Sequence, residues 1–470
     1  MSASSYMNLT SASVFVRWKG SFVNTERQNV EQTAASKRGL GARPSPRSTP
    51  ILLVLLLLAQ TASSATSLIY AGSALLVPGQ APSGPVSIVV VDGTIAAVEP
   101  GRMPLDALPV SAGENVGVLD LGDAFLLPGL IDTHVHFSGS YSPRTKLENV
   151  EFTSARRALN AFVYAEKTLK AGFTTVRDLG GDAEAIFALR DVIASGAVLG
   201  PRIVAAGDMI SASGGHADIH GYRRDVNVLL RDPVGLCDGA DDCRRAVREM
   251  VHRGADVIKL GLTGGVTSDT AAGVDAQMFT DEVEAAIETA HRLGRQVAVH
   301  AHGPDGIRMA LALGADSIEH GTFIDEAGIA LLHDSNAYLV PTFSAGRVTL
   351  ELATQPESFL PPAVKRKVEA VVPAHLSHFQ SAYEAGIRVA LGSDAGVIPH
   401  GDNGKELVYL VEAGMTPMAA IEAATTHAAD LLQLTDEIGT IEPGKVADLV
   451  ATAESPLHDI NQVLAIRFVM

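Results

Sequence analysis

Pro128-Gly129-Leu130-Ile131-Asp132-Thr133-His134-Val135-His136 is the stretch on which the fold turns. Pro and Gly interrupt whatever precedes them, and Leu130 to Val135 then reads as an apolar strand closed by two histidines. Side chains two apart on a strand face the same way, so His134 and His136 project together. An apolar strand with imidazoles only at its C-terminal end has a body to bury and a tip that faces something polar.

Downstream of it, apolar strands alternate with helical stretches. The further candidates are Thr174–Asp178, Arg202–Gly207, Val257–Leu262, Gln296–Ala301, Ser317–His320, Tyr338–Thr342 and Arg388–Gly392, with helix-like runs such as Thr153–Ala171, Asp281–Leu293, Gly306–Leu313 and Val364–Ala385 between them. Eight β-α repeats over residues 129–436 predict a parallel (β/α)8 TIM-type barrel rather than a doubly wound sheet, and near-continuous apolar strands suit a sheet buried on both faces. Upstream, 67–128 carries short strands (Ser67–Tyr70, Val86–Val91, Ile95–Val98, Val118–Leu121) and an Asp92-Gly93 turn. After Leu431 the texture returns to strands and turns, Val446–Thr452 being the clearest. Both flanks, 67–128 and 437–470, are therefore expected to build one small β-sandwich.

In such a barrel the C-terminal strand ends share one mouth. The ionisable residues found there are His134 and His136 on the first strand, Lys259 on the fourth, His300 and His302 on the fifth, His320 on the sixth and Asp394 just past the eighth. One strand histidine alone is more often a structural residue, a lone lysine can snorkel, and an aspartate can serve a turn. Four such strand ends and a strand lysine on one face are another matter. Burying that set unpartnered costs its hydration, and divalent metal ions are what such a set holds.

The composition agrees with a large acidic globular enzyme: 470 residues, 47% hydrophobic, net charge −17. That charge argues against a nucleic-acid partner, since phosphate contacts need clustered Lys and Arg. The two cysteines, Cys237 and Cys243, cannot make a four-thiolate zinc site; their spacing admits a disulfide and equally two free thiols. Residues 1–66 read as a leader: Arg38, Arg43 and Arg47, the apolar run Ile51–Ala59, then small residues to Ala65, the parts of a signal peptide. Nine residues rise only ~14 Å as a helix, too short for a stable membrane span. Export to a periplasm or the outside is expected. Cutting after Ala65 removes seven Lys/Arg and two Asp/Glu and takes the charge to −22.

The opening stretch resembles the signature of the metal-dependent amidohydrolase superfamily, and the lysine, later histidines and aspartate fall where its binuclear members keep theirs. The similarity spans about 67–470 and includes Ile441-Glu442-Pro443-Gly444-Lys445-Val446-Ala447-Asp448-Leu449-Val450. Within the superfamily, Ser213-Gly214-Gly215-His216 and His300-Ala301-His302-Gly303-Pro304-Asp305-Gly306 resemble exported Xaa-Pro or Xaa-Arg/Lys dipeptidases, and a fungal amidase that hydrolyses ochratoxin shares them. The resemblance implies His134, His136 and Asp394 on one ion, His300 and His320 on a second, and Lys259 as a CO2-derived carbamate bridging both. Imidazole and oxygen ligands suit zinc best. It also implies a metal-bridging hydroxide attacking an amide or peptide carbonyl, with Asp394 as the proton-transferring base and His302 assisting a substrate oxygen. Tyr222 and Arg223, in the loop after the third strand, are candidates to hold a tetrahedral oxygen and a dipeptide's free carboxylate.

The substrate expected is a dipeptide that releases Pro, Arg or Lys, ahead of an N-acyl amino acid or aryl amide. Deaminases of the superfamily use one metal and carry a glutamate three residues past the fifth-strand histidine, where this chain has Gly303. A non-catalytic barrel would have lost ligands, and all six are present. Related chains continue past the segment resembling Ile466–Met470 into a turn and a last strand, so a shortened edge to the β-sandwich is expected. A homo-oligomer is expected on general grounds.

Overall fold

The computed structural model describes Val14–Phe15 and residues 66–108, 116–231, 234–268 and 273–470. The signal-peptide reading of Ile51–Ala59 lies outside the described residues. Among the described residues, no helix is long and apolar enough to cross a membrane.

The first strands are β1 (Thr66–Ala71), β2 (Val86–Val91), β3 (Thr94–Pro100) and β4 (Val116–Asp120), which form one sheet in the order β3-β2-β1-β4. Asp92 and Gly93 both adopt positive φ, 50° and 80°, the geometry that lets two residues close the β2–β3 hairpin. β5 (Phe125–Pro128) leaves this sheet and pairs antiparallel with a strand from the far end of the chain, Leu449–Thr452. The pairing sets Leu127 against Val450 and Leu126 against Ala451. Phe468–Val469 adds to the other side of Leu449–Thr452, and Val14–Phe15 pairs with Phe468–Val469. Ile69, Ile88, Val90, Leu126, Leu449 and Phe468 meet in one buried cluster between the two sheets. Both chain ends thus share one small core.

The parallel strands follow: β6 (Leu130–Val135), β7 (Phe173–Asp178), β8 (Arg202–Ala205), β9 (Val257–Gly261), β10 (Gln296–Ala301), β11 (Ser317–His320) and β12 (Tyr338–Val340). They form two parallel sheets, β8-β7-β6 and β9-β10-β11-β12. Every residue of β6, β7, β9 and β11 is buried, as in a parallel sheet covered on both faces. Backbone bonds continue past both sheets. The Asp256 N–H reaches the Ala205 carbonyl, and Ile210 exchanges bonds with Lys259 O and the Gly261 N–H. On the far side the Leu339 N–H reaches Arg388 O, the Ala390 N–H returns to Leu339 O, and the Thr133 N–H meets Leu391 O.

The strand expected at Arg388–Gly392 is therefore present as a segment with bonds to both neighbours but without a regular ladder. Its path is bent a few residues on, where Asp394 takes φ 58°. The fastening there is carried by side chains. Asp132 on β6 accepts from the Ser393 N–H and hydroxyl and from Asn403 Nδ2 at 2.7 Å.

Helices cover the strands, as the sequence spacing requires. Ser154–Lys170 begins at Thr153, whose hydroxyl oxygen accepts the Arg156 N–H, and it buries Ala161, Ala165 and Thr168. Ala240–Arg253 ends at Gly254 in the left-handed region, and Thr280–Arg292 and Pro304–Ala312 complete their β-α units. Cys237 and Cys243 are joined by a disulfide, six residues apart, across the start of Ala240–Arg253.

Candidate metal centre

The strand ends converge as the spacing required. His134 and His136, successive same-side residues of the first parallel strand and its exit, have ring centroids 5.2 Å apart; His300 and His320 are 4.6 Å apart, and His134 lies 5.2 Å from His320. The Asp394 Oδ1 sits 3.3 Å from His136 Nε2 and 3.8 Å from His134 Nε2. Lys259 is 1% exposed. All six predicted ligands line a single cavity of about 700 Å³.

Backbone strain aims several of these groups. His320, Thr342 and Asp394 all have positive φ, at 71°, 56° and 58°, although none is glycine. Such conformations cost about 1–3 kcal/mol each and persist where the surroundings over-determine them. At His320 the consequence is direct. Strand alternation would send Glu319 and His320 to opposite faces; the left-handed turn at His320 lets both reach the interior.

Four of the imidazoles are oriented through their other nitrogen. His134 Nδ1 donates to Glu319 Oε2 at 2.7 Å, and His136 Nδ1 to the Gly180 carbonyl at 2.7 Å. Thr342 gives its own hydroxyl proton to the Pro341 carbonyl, so its oxygen accepts from His320 Nδ1 at 2.7 Å and leaves that Nε2 with a lone pair. His302 Nδ1 pairs with the Thr322 hydroxyl at 2.8 Å. Fixing the tautomer from behind is how imidazole ligands are prepared for a cation.

Electrostatics point the same way. Burial, reinforced by Lys259, lowers the His134 pKa to about 4, and burial among the other imidazoles holds His300 and His320 well below the usual histidine range. All three are neutral ligands at ordinary pH. Burial lowers Lys259 to about 8, so its amine is far easier to deprotonate than a surface lysine. Burial works against the Asp394 anion, but His136, His134 and Lys259 outweigh it and keep the carboxyl below the usual range.

Three buried polar atoms in this ring have no hydrogen-bond partner among the described residues: Lys259 Nζ, His300 Nε2 and Asp394 Oδ1. Leaving such atoms unmet in a protein interior is costly, and a bound cation is the group that meets all three kinds of donor. The ligand atoms of His134, His320 and Asp394 lie within 4.8 Å of one another, as do those of His300, His302 and His320. The residues present fit a divalent metal centre.

Two predicted site residues are not brought in. Tyr222 and Arg223 do not line the cavity. The Tyr222 hydroxyl is tied to the Lys146 carbonyl and Asn149, and Arg223 forks onto Asp225 at the start of the surface helix Arg224–Leu230. A local carboxylate two residues away has captured the guanidinium. The cavity's own guanidiniums are Arg157, Arg231 and Arg253, the last two paired with Asp218 and Asp208.

The sequence reading assigned no role to several residues that line or support this site. Glu319 receives His134 on one oxygen and Arg177 Nη2 on the other at 2.9 Å. Its adjacency to His320 was the available signal, masked by assumed alternation. His375 lines the cavity from the long helix Pro362–Glu384, and nothing in its sequence context marks it. His216 stacks on His300 with centroids 4.0 Å apart.

A family model described as the amidohydrolase family matches residues 125–468. The ochratoxinase of Aspergillus niger is 32% identical over 444 residues, 89% of this chain and 88% of that protein. Among solved structures, a Xaa-Pro dipeptidase with methionine bound in its active site is 38% identical with a TM-score of 0.80, covering 86% of this chain and 98% of that one. A prolidase complexed with N-methylphosphonate-L-proline is 26% identical with a TM-score of 0.75, again covering 86% and 98%.

Proposed function

The chain belongs to the amidohydrolase family, a hydrolytic enzyme of amide bonds, and from that premise we propose that it is a binuclear metal-dependent dipeptidase releasing a C-terminal amino acid. The observation that carries the reading is three buried atoms left without a hydrogen bond among the described residues, Lys259 Nζ, His300 Nε2 and Asp394 Oδ1, inside a ring of imidazoles.

In this reading the two parallel sheets and segment 388–395 are one (β/α)8 barrel over 129–436, supported by the backbone bonds at Ala205, Ile210, Leu339 and Thr133. The segments 67–128 and 437–470 are its β-sandwich companion, supported by the shared apolar cluster. His134, His136 and Asp394 would hold one ion and His300 and His320 the other. Lys259, whose amine burial makes easier to deprotonate, would complete the donor set as a CO2-derived carbamate. The imidazole-rich donor set favours zinc. When bound, the ions activate water and polarise the scissile carbonyl.

The chain's own residues do the rest. Asp394, 3.3 Å from His136 Nε2 and open on the cavity, receives the proton released as water attacks and passes it to the departing amine. His302, with Nδ1 fixed by Thr322, presents its other nitrogen toward the same space. The apolar wall of Val266, Val371, Val372 and Leu236 shields a substrate side chain from water. A second reading, an N-acyl amino acid or aryl amide hydrolase, is favoured by the ochratoxinase similarity and by a cavity roomy for a dipeptide. Export is proposed on the leader, and the Cys237–Cys243 disulfide suits an oxidising compartment.

The test is metal analysis followed by a dipeptide library on zinc-loaded protein. Two ions per chain and release of Pro, Arg or Lys are expected. One ion per chain favours a deaminase-like site. Cleavage of N-acyl amino acids with no dipeptide cut moves the assignment to the second reading.

A further inference from the structure

Thr342 stands where a helix cap belongs and does not cap. It precedes Phe343–Thr354 at the N-cap position, where a threonine hydroxyl ordinarily accepts an N–H of the first turn, yet its side chain makes no such bond. Its backbone is left-handed, φ 56° and ψ 46°, a conformation that a β-branched residue adopts only under constraint. In that turn its oxygen accepts from His320 Nδ1 at 2.7 Å and its proton goes to the Pro341 carbonyl at 2.6 Å.

The N–H groups that Thr342 leaves are met from another element. Glu406, on the helix Lys405–Glu412, takes the Phe343 N–H on Oε1 at 2.8 Å and the Ser344 N–H on Oε2 at 2.7 Å. The Ala345 N–H reaches the Thr342 carbonyl at 3.2 Å, so the first three N–H groups of the helix are all paired. Glu406 is fully buried and is itself held in place. Its N–H meets the Asn403 carbonyl at 3.1 Å, and Asn403 Nδ2 donates to Asp132 on β6 at 2.7 Å. A buried carboxylate is a costly cap for a helix that already has a threonine at the capping position. The threonine is thereby left free for another task.

We propose that Glu406 is a positioning residue for the metal ligand His320: by capping Phe343–Thr354 from a different element, it frees the Thr342 hydroxyl to fix the His320 ring with its Nε2 lone pair toward the cavity. Without the carboxylate, the Thr342 hydroxyl turns back to the Ser344 or Ala345 N–H as an ordinary N-cap. His320 Nδ1 then loses its acceptor, and the ring no longer keeps one tautomer. Glu406 does not line the cavity and acts through Thr342 alone. The inference rests on the metal-centre reading above.

The experiment uses the full chain at pH 8, where the Glu406 carboxylate is mostly ionised, and the variants Glu406→Gln, Thr342→Val and their double variant. Glutamine keeps the shape of Glu406 but sets an NH2 against one of the two N–H groups; valine keeps the shape of Thr342 without its hydroxyl. Two quantities are read: zinc affinity against a competing chelator, and the nitrogen-15 NMR signals of labelled histidine in metal-free protein. Loss of a group behind an imidazole ligand weakens metal binding about 10–100-fold. Glu406→Gln is expected to do so at one of the two ions, and to replace the single Nδ1–H tautomer of His320 by a mixture. Thr342→Val gives a similar loss, and the double variant loses no more than either alone. Losses that multiply in the double variant overturn the proposal, because Glu406 would then act through the fold at large. Wild-type zinc affinity and tautomer in Glu406→Gln overturn it too. If Glu406→Gln does not fold, Glu406→Asp, which keeps the charge but falls short of the two N–H groups, is read against the same outcomes. A wild type that holds fewer than two ions sinks the binuclear reading instead, and the His320 tautomer in metal-free protein then decides the inference by itself.

Discussion

Glu319 and His134 form a hydrogen bond of 2.7 Å between side chains that are 0% and 1% exposed, and Arg177 completes the set on the other carboxylate oxygen. The carboxylate stays ionised, although burial opposes it, because Arg177 and Lys259 hold its pKa down at about 2. Glu319 therefore has two tasks, orienting the His134 ring and neutralising a buried guanidinium.

Glu319→Gln separates those tasks. The amide is nearly isosteric but neutral, which leaves Arg177 without a counter-charge at a cost of about 3–5 kcal/mol. Losing the carboxylate behind His134 is expected to weaken metal binding about 10–100-fold. Denaturant unfolding and zinc titration of the same variant check both numbers. Unchanged zinc affinity would show that His134 is held well enough by its strand.

Lys259 gives a prediction for reconstitution. Carbamate formation needs the neutral amine, and with a pKa of about 8 roughly one tenth of Lys259 is neutral at pH 7 and about nine tenths at pH 9. At constant dissolved carbon dioxide, metal-free protein is expected to take up labelled carbon about tenfold faster at pH 9 than at pH 7, followed by carbon-13 NMR. Lys259→Met should abolish the signal and leave fewer than two ions per chain.

Much of this was legible before any coordinates. The sequence reading placed Leu130–Val135, Gln296–Ala301 and Ser317–His320 at the residues observed, each starting one to three residues after a glycine, Gly129, Gly294 or Gly314, that breaks the preceding element. The six proposed ligands were legible as polar residues set against apolar runs, Lys259 within its strand and the other five at or just past the ends of theirs. Glu319 was hidden by the positive φ at His320, a backbone choice that no residue type announces. Arg223 misled because a carboxylate two residues away, Asp225, competes for it locally. His216 and His375 come from a loop and a covering helix, where tertiary packing rather than period decides what faces the cavity.

Glu406 offers a pH signature away from the ligands. Its carboxylate accepts the Phe343 and Ser344 N–H groups at 2.8 and 2.7 Å, at the start of helix Phe343–Thr354, yet burial raises its pKa from 4.5 to about 7. Between those values the folded chain keeps a proton that the unfolded chain has released. This group's contribution to stability therefore falls as pH rises from about 4.5 to about 7, by an amount on the order of 3 kcal/mol. Glu406→Gln does not titrate, so the stability of wild type minus that of the variant should decline across the window and level off above it. A flat difference would mean that the two N–H groups hold the carboxylate ionised throughout.

The Cys237–Cys243 bond closes a short loop whose neighbours Gly235 and Leu236 line the cavity. A loop with a separation of six residues restricts the unfolded chain by about 2 kcal/mol, less than a long loop would. Replacing both cysteines by serine should cost about that much, and more if the buried hydroxyls find no partners, since Cys243 is fully buried and Cys237 nearly so. The same burial shields the bond from reductant, so dithiothreitol should lower the wild-type melting temperature only under conditions that open the fold. Reduction that proceeds quickly in native protein, with loss of amide hydrolysis, would instead place the 234–239 loop in motion over the cavity and make the disulfide a determinant of its shape.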